Sequence, residues 1–197
     1  IATLAALVFM ALVVDKRGLG TLGFSPTRSG GVGSGTLLGA AIFMVPLGIL
    51  WALGAARLAP DFSGFSSLAL ASGLALCFFN VITQEALVRS YIFQELWTKY
   101  GAAWAIGLTT ALFVALHAAP ITKGGTQGLI AGANVLLASV LLGLAYVRTN
   151  ALWLAIGIHF GWNGLQGPVL GINVTGTDIG LGSWHVFEFP GAALLTG

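Results

Sequence analysis

Charge is what this chain lacks most. Eight Lys and Arg and six Asp and Glu serve 197 residues, 7% of the total, where soluble domains carry roughly 25%. So few charges cannot dress the surface of a water-soluble protein of this size, which excludes a soluble globular domain and makes lipid the solvent around most of the chain. The formal charge of +2 is too small to imply an acidic partner, and nucleic-acid binding is excluded with it. Cysteine is nearly absent. Cys77 has no second cysteine to pair with, so a disulfide scaffold is excluded, and its apolar neighbours make it a small core residue rather than a reactive thiol. Disorder is excluded by 57% hydrophobic residues and a mean hydropathy of +0.94.

What is present is a series of charge-free runs. A bilayer core of about 30 Å needs about 20 helical residues at 1.5 Å each. Ile1 to Val14 reads as the tail of a spanning helix rather than a signal peptide, since no small-residue cleavage site follows. Five further runs predict spans: Gly35 to Ala56, Phe62 to Gln84, Ala102 to Thr122, Gly124 to Val147, and Ala151 to about Val169. Asp15 to Gly35, with Pro26, reads as a connecting loop. Ser66 to Tyr100 is too long for one span, so it must tilt, break near Asn80 or emerge beyond the membrane. The fold class expected is therefore all-α, a polytopic transmembrane bundle of about six spans. Residues 1–197 read as a single integral-membrane domain, and the Ile1 start and apolar Ala192 to Gly197 end read as cut edges.

Glycine is abundant. Spacings such as Gly128/Gly132 and Gly157/Gly161 put small residues on one helical face, where backbones approach closely. Gly31-Val32-Gly33-Ser34-Gly35 is no phosphate loop, because no Lys-Ser/Thr follows it. Loop charges set orientation: Lys16, Arg17, Arg28, Lys99 and Arg148 fall on one side, Arg57 and Lys123 with Asp61, Asp178 and Glu188 on the other. The excess of Lys and Arg places the first group in the cytoplasm.

The informative residues are polar ones inside apolar helices, because each is costly in lipid without a partner or a water-filled cavity. Glu85 and Arg89 are four apart on one helical face and can pair; Gln84 precedes them, with Asn80 on its face. His117 closes Phe113-Val114-Ala115-Leu116-His117. His159 and Asn163 share a face one turn apart. Singly, each is most simply a satisfied buried group. Together, two imidazoles, a carboxylate, carboxamides and a guanidinium on three helices predict convergence. Such groups can orient a water, accept its proton and stabilise an oxyanion, as peptide hydrolysis requires.

The order of these motifs resembles the CPBP family of intramembrane glutamic endopeptidases (CAAX protease and bacteriocin-processing), also called the Abi or type II CAAX prenyl endopeptidase family. Its pattern is Glu-Glu-x-x-x-Arg, Phe-x-x-x-His and His-x-x-x-Asn/Asp on separate helices. The phrase from Leu141 to His159 is similar to that family's approach to the third motif, and the resemblance spans about 80–167. It implies a fold of about eight spans in a bacterial or archaeal plasma membrane. It also implies a metal-independent, cofactor-free hydrolase acting on a peptide or lipidated-protein substrate, some relatives serving bacteriocin processing or immunity. By that resemblance the catalytic set is Gln84, Glu85, Arg89, His117, His159 and Asn163. The first-motif position and His117 would activate water, His159 and Asn163 would hold the oxyanion, and Glu85 with Arg89 would support the site.

The chain departs from the pattern where the first Glu should stand. Gln84 can hydrogen-bond a water but cannot take its proton, so hydrolysis should be strongly reduced. Glu85 lies about 100° round the helix and cannot simply replace it. Ser90 stands where Gly is common. An inactivated protease, a natural loss of activity and a tolerated variant all remain open, as does a catalytically silent binding or bacteriocin-immunity protein on the same fold. A transporter lacks the matched broken segments it would need. Zinc on His117, His159 and Glu85 is a further alternative, without the His-Glu-x-x-His helix usual for zinc peptidases. The sequence specifies no oligomeric state.

Overall fold

The computed structural model describes residues 2–14, 16, 18–174 and 184–190. Asp15, Arg17 and Asp178, and the apolar end phrase from residue 192, lie outside the described residues. The chain is an all-α membrane helical bundle. Its helices are α1 (Ala2–Phe9), α2 (Gly31–Ala52), α3 (Ser67–Ala86), α4 (Phe93–Tyr100), α5 (Ala102–Leu116), α6 (Ala118–Lys123), α7 (Gly125–Thr149) and α8 (Trp153–Gly164). Among the described residues three stretches are long and apolar enough to cross a bilayer, by length and composition: Gly31–Ala52, Ser67–Tyr100 and Gly128–Thr149. The outer faces carry exposed Leu37, Leu53, Leu68, Trp104 and Leu129, which suits lipid and would be a liability in water.

Local chemistry sets the helix ends. Ser66 caps α3, its Oγ accepting from the Ala69 N–H at 3.3 Å. Gly101 at φ 85° lets the chain turn between α4 and α5. Asn150 closes α7 in the left-handed conformation at φ 48°, its N–H donating to the Tyr146 carbonyl at 2.7 Å. The long run from Ser67 to Tyr100 does not break near Asn80. It stays helical for 34 residues and widens into a π-helical stretch at Leu87–Ile92. The run from Ala102 to Thr122 is divided at His117, where α5 ends and α6 begins.

The central packing is the crossing of α2 on α8. A Cβ placed on Gly35 would lie 2.6 Å from the Leu154 carbonyl oxygen. Gly39 faces the Ile158 carbonyl and Gly161 faces that of Thr36 just as closely. No side chain fits between these backbones, which is how small residues four apart let membrane helices touch. Gly128 meets the Ile121 carbonyl of α6 in the same way, and Gly132 faces the Ile121 side chain, 3.3 Å from its Cγ2. A core of Val81, Phe93, Ala105, Tyr146, Leu152 and Ile156 ties α3, α4, α5, α7 and α8 together.

A small sheet, the one among the described residues, has no counterpart in the sequence pattern. β1 (Arg57–Asp61) pairs antiparallel with β2 (His185–Glu188), Arg57 opposite Glu188 and Asp61 opposite His185. This ribbon lies at the end of the bundle away from Lys99 and Arg148. At the other end the Arg28 guanidinium donates to the Thr149 and Asn150 carbonyls and Trp153 Nε1 donates to the Ser25 carbonyl at 2.8 Å. Apart from the buried Glu85 and Arg89, the charged groups on described residues are thus gathered at two ends, with apolar helix between.

Candidate active site

Four elements meet around Glu85. It sits in the last turn of α3 and is fully buried, as is Arg89 in the π-helical stretch below it. Arg89 Nη1 donates to both carboxylate oxygens, at 2.9 and 3.0 Å. His159 of α8 brings Nδ1 to within 2.8 Å of Glu85 Oε1. A carboxylate only accepts, so this nitrogen carries the proton. Arg89 Nη2 reaches α7, donating to Ser139 Oγ at 2.7 Å and to the Ser139 carbonyl at 3.2 Å. The result is one buried chain, Ser139 to Arg89 to Glu85 to His159, that joins three helices. An ion pair removed from water this completely needs such a set of partners to persist.

Phe113 of α5 is the hub on the other side. The Arg89 guanidinium lies over its ring, 4.7 Å from the centroid. The His117 ring stands 4.6 Å from the same centroid and the His159 ring 5.9 Å. The two imidazoles therefore flank one phenyl ring, and the sum of those distances bounds their separation. His117 Nδ1 lies 2.8 Å from the Phe113 carbonyl. A carbonyl cannot donate, so Nδ1 holds the proton and Nε2 keeps its lone pair while the ring is neutral.

The six residues singled out from the sequence divide into two layers. Glu85, Arg89 and His159 are sealed inside. Gln84, His117 and Asn163 are half-buried around them. Asn163 lies one turn beyond His159 on α8. Gln84 does not join the Glu85 chain: its Nε2 donates to Asn80 Oδ1, and its buried Oε1 accepts from no described group. Ser90 is buried and donates to the Ala86 carbonyl within its own helix. Ser139 was missed in the sequence, since a lone hydroxyl in a charge-free run can bond its own helix backbone and carries no mark of a partner. Among the described residues no three His, Cys, Asp or Glu come together as a metal site, and zinc on Glu85 would have to displace the Arg89 guanidinium. A cavity of about 260 Å³ between Gln94, Trp97, Tyr146 and Asn150 lies elsewhere, toward the Lys99 end, and none of the six lines it.

A widened π-helical turn beside a buried ion pair is a common feature of functional sites. Two imidazoles with defined tautomers beside a carboxylate can accept a proton and orient a reacting group. The family model described as Type II CAAX prenyl endopeptidase Rce1-like matches residues 66–165, half of the chain, from the cap of α3 to the end of α8. No curated protein and no solved structure matches.

Proposed function

Because this chain belongs to the Rce1-like family of type II CAAX prenyl endopeptidases, we propose that it is an intramembrane endopeptidase whose site is Gln84, Glu85, Arg89, His117, His159 and Asn163. The observation that carries the reading is the meeting of the Glu85, Arg89 and His159 chain with His117 around Phe113. A purely structural ion pair has no need of a second imidazole held in a defined tautomer. The catalytic core is 80–167 within a single membrane domain of 1–197, and the substrate is a peptide or lipidated protein reached from the bilayer.

In this reading His117 is the proton acceptor, since Phe113 occupies its Nδ1 and leaves the Nε2 lone pair for a water. His159 takes its orientation from Glu85, and in its protonated form its Nε2–H can face a developing oxyanion. The Asn163 amide adds a second donor there. Arg89 neutralises Glu85 and fixes it to α7. Attack of water on the carbonyl forms a tetrahedral intermediate; its collapse breaks the C–N bond and returns the proton to the leaving amine. No residue becomes acylated.

Gln84 weakens this chemistry at its first step. Its amide can hold a water but takes no proton, so His117 acts alone and turnover is low. The same residue supports the second reading, a silent binding or bacteriocin-immunity protein. The separating experiment is Gln84→Glu, assayed with lipidated and unlipidated peptides in detergent with EDTA present. Restoring a positioned base should raise hydrolysis by about 10²–10⁴-fold, and His117→Ala in that background should remove the gain. A folded Gln84→Glu protein that cleaves nothing across the panel gives the lead to the silent reading. Full-rate cleavage by the Gln84 form would show that the base is misassigned.

A further inference from the structure

Asn80 and Gln84 lie one turn apart on α3 and outside the Glu85 chain. Their carboxamides are joined by the bond from Gln84 Nε2 to Asn80 Oδ1. That bond leaves Gln84 Oε1 buried without a donor among the described residues. Turning the amide over does not help, because Nε2 would then be the buried atom and would lack an acceptor. Asn80 itself is exposed although it sits well inside the 34-residue apolar helix, and its Nδ2 donates to no described group. An open carboxamide facing hydrocarbon is costly, and so is a buried orphan oxygen. The two costs fall on neighbouring residues and have opposite sense: one spare acceptor and one spare donor, both uncharged.

A polypeptide about to be cut in a membrane has the complementary problem. To expose its scissile bond it must leave the helical state, and its N–H and C=O groups then lack partners in lipid. The backbone groups of a continuous helix such as α3 are already used internally. Side-chain amides are the neutral groups that can stand in for them. We infer that Asn80 and Gln84 form a subsite that reads a substrate's extended backbone. Gln84 Oε1 accepts a peptide N–H, and Asn80 Nδ2 donates to a carbonyl of the same segment. The inference rests on the endopeptidase reading for the class of ligand, a peptide, but concerns binding and not cleavage. It also gives Gln84 a task that it performs as an amide.

The experiment measures equilibrium binding of a fluorescent prenylated CAAX peptide to the detergent-purified protein. A series of analogues accompanies it, each replacing one backbone amide near the scissile bond by an ester. An ester keeps the shape and loses the N–H. One position should show binding weakened by about tenfold or more, because a buried acceptor is left unmet. Gln84→Met should erase that difference between amide and ester. Asn80→Leu should weaken both ligands alike while the difference persists. Equal binding of all esters by the unmodified protein overturns the subsite and assigns the spare oxygen to water, whether or not either variant folds. A difference that survives Gln84→Met overturns it as well. Peptide binding without ester discrimination leaves the endopeptidase reading intact, and that reading is judged separately by cleavage with Gln84→Glu. Failure of every peptide to bind counts against both.

Discussion

At the scale of single residues, the chain from Ser139 to His159 makes a buried charge tolerable only while every member is present. Arg89→Ala leaves the Glu85 carboxylate sealed with His159 as its one remaining partner among the described residues, and should destabilise by about 3–5 kcal/mol. Replacing Glu85 as well should cost less than the sum of the single changes. Steric-trap unfolding in bicelles checks this, and strictly additive losses would show that the two do not interact. The pairing of Glu85 with Arg89 was legible in the sequence because four residues make one helical turn. The contact with His159 was legible only through cost, since 74 positions separate it from Glu85 and no local pattern links them. Ser139 shows the limit of that reasoning. A hydroxyl in an apolar helix can satisfy itself on its own backbone, as Thr109 and Thr149 do, so its presence did not announce a partner.

At the scale of elements, the α2 crossing sets where His159 stands. Gly39→Ala would place a methyl against the Ile158 carbonyl, next to the imidazole in sequence, and should cost about 1–3 kcal/mol by forcing the backbones apart. Gly48→Ala on the same helix meets open space and is the control. Equal thermal stability of the two variants would contradict the packing. The ribbon offers a pH test. Asp61 accepts from the Ser63 N–H at 2.8 Å and faces His185 across the strands, so its carboxyl is held below the ordinary value of 3.8, chiefly by the Ser63 bond. A lowered carboxylate stabilises the fold at neutral pH, and the contribution fades as pH drops below 3.8 and through the lower folded value. A fluorine label on Trp184, which packs against Phe65 at 5.2 Å, should report loosening in that range, and Asp61→Asn should remove the dependence. The helices were readable from charge-free runs because lipid demands them. The division at His117 carried a weaker signal in Pro120, which has no N–H to return to the Leu116 carbonyl and is tolerated only in the first turn of a new helix, as in α6. The ribbon carried none, as its strands lie far apart in the chain and include Pro60.

For the whole molecule, the two charged ends define an orientation. Lys99 and Arg148 share an end, since Trp97 packs on Tyr146 at 6.1 Å, and Arg28 joins them through the Thr149 and Asn150 carbonyls. If that end is cytoplasmic, a cysteine at position 99 should resist impermeant thiol reagents in intact cells and react after permeabilisation. Labelling from outside would reverse the assignment. The bundle class followed from composition alone, because a chain with so few charges has no other stable solvent. Hydropathy does not register a helix end, so it gives no sign of the division at His117 inside the run from Ala102 to Thr122, whereas the run from Ala151 stays helical to Val169 through the π-helical turn.

The close crossing of α2 and α8 has a consequence for how the protein is made. The 12 residues of α8 and the five of the π-helical turn Leu165–Val169 that continues it make a helix about 25 Å long, a little short of the hydrocarbon thickness, whose Gly157 and Gly161 are packed on α2. Its His159 is costly in hydrocarbon until it finds a partner. Its seat is the groove of α2, a longer helix synthesised well before it and so already present to receive it. The imidazole is therefore delivered to Glu85 only after the rest of the bundle has been assembled to receive it.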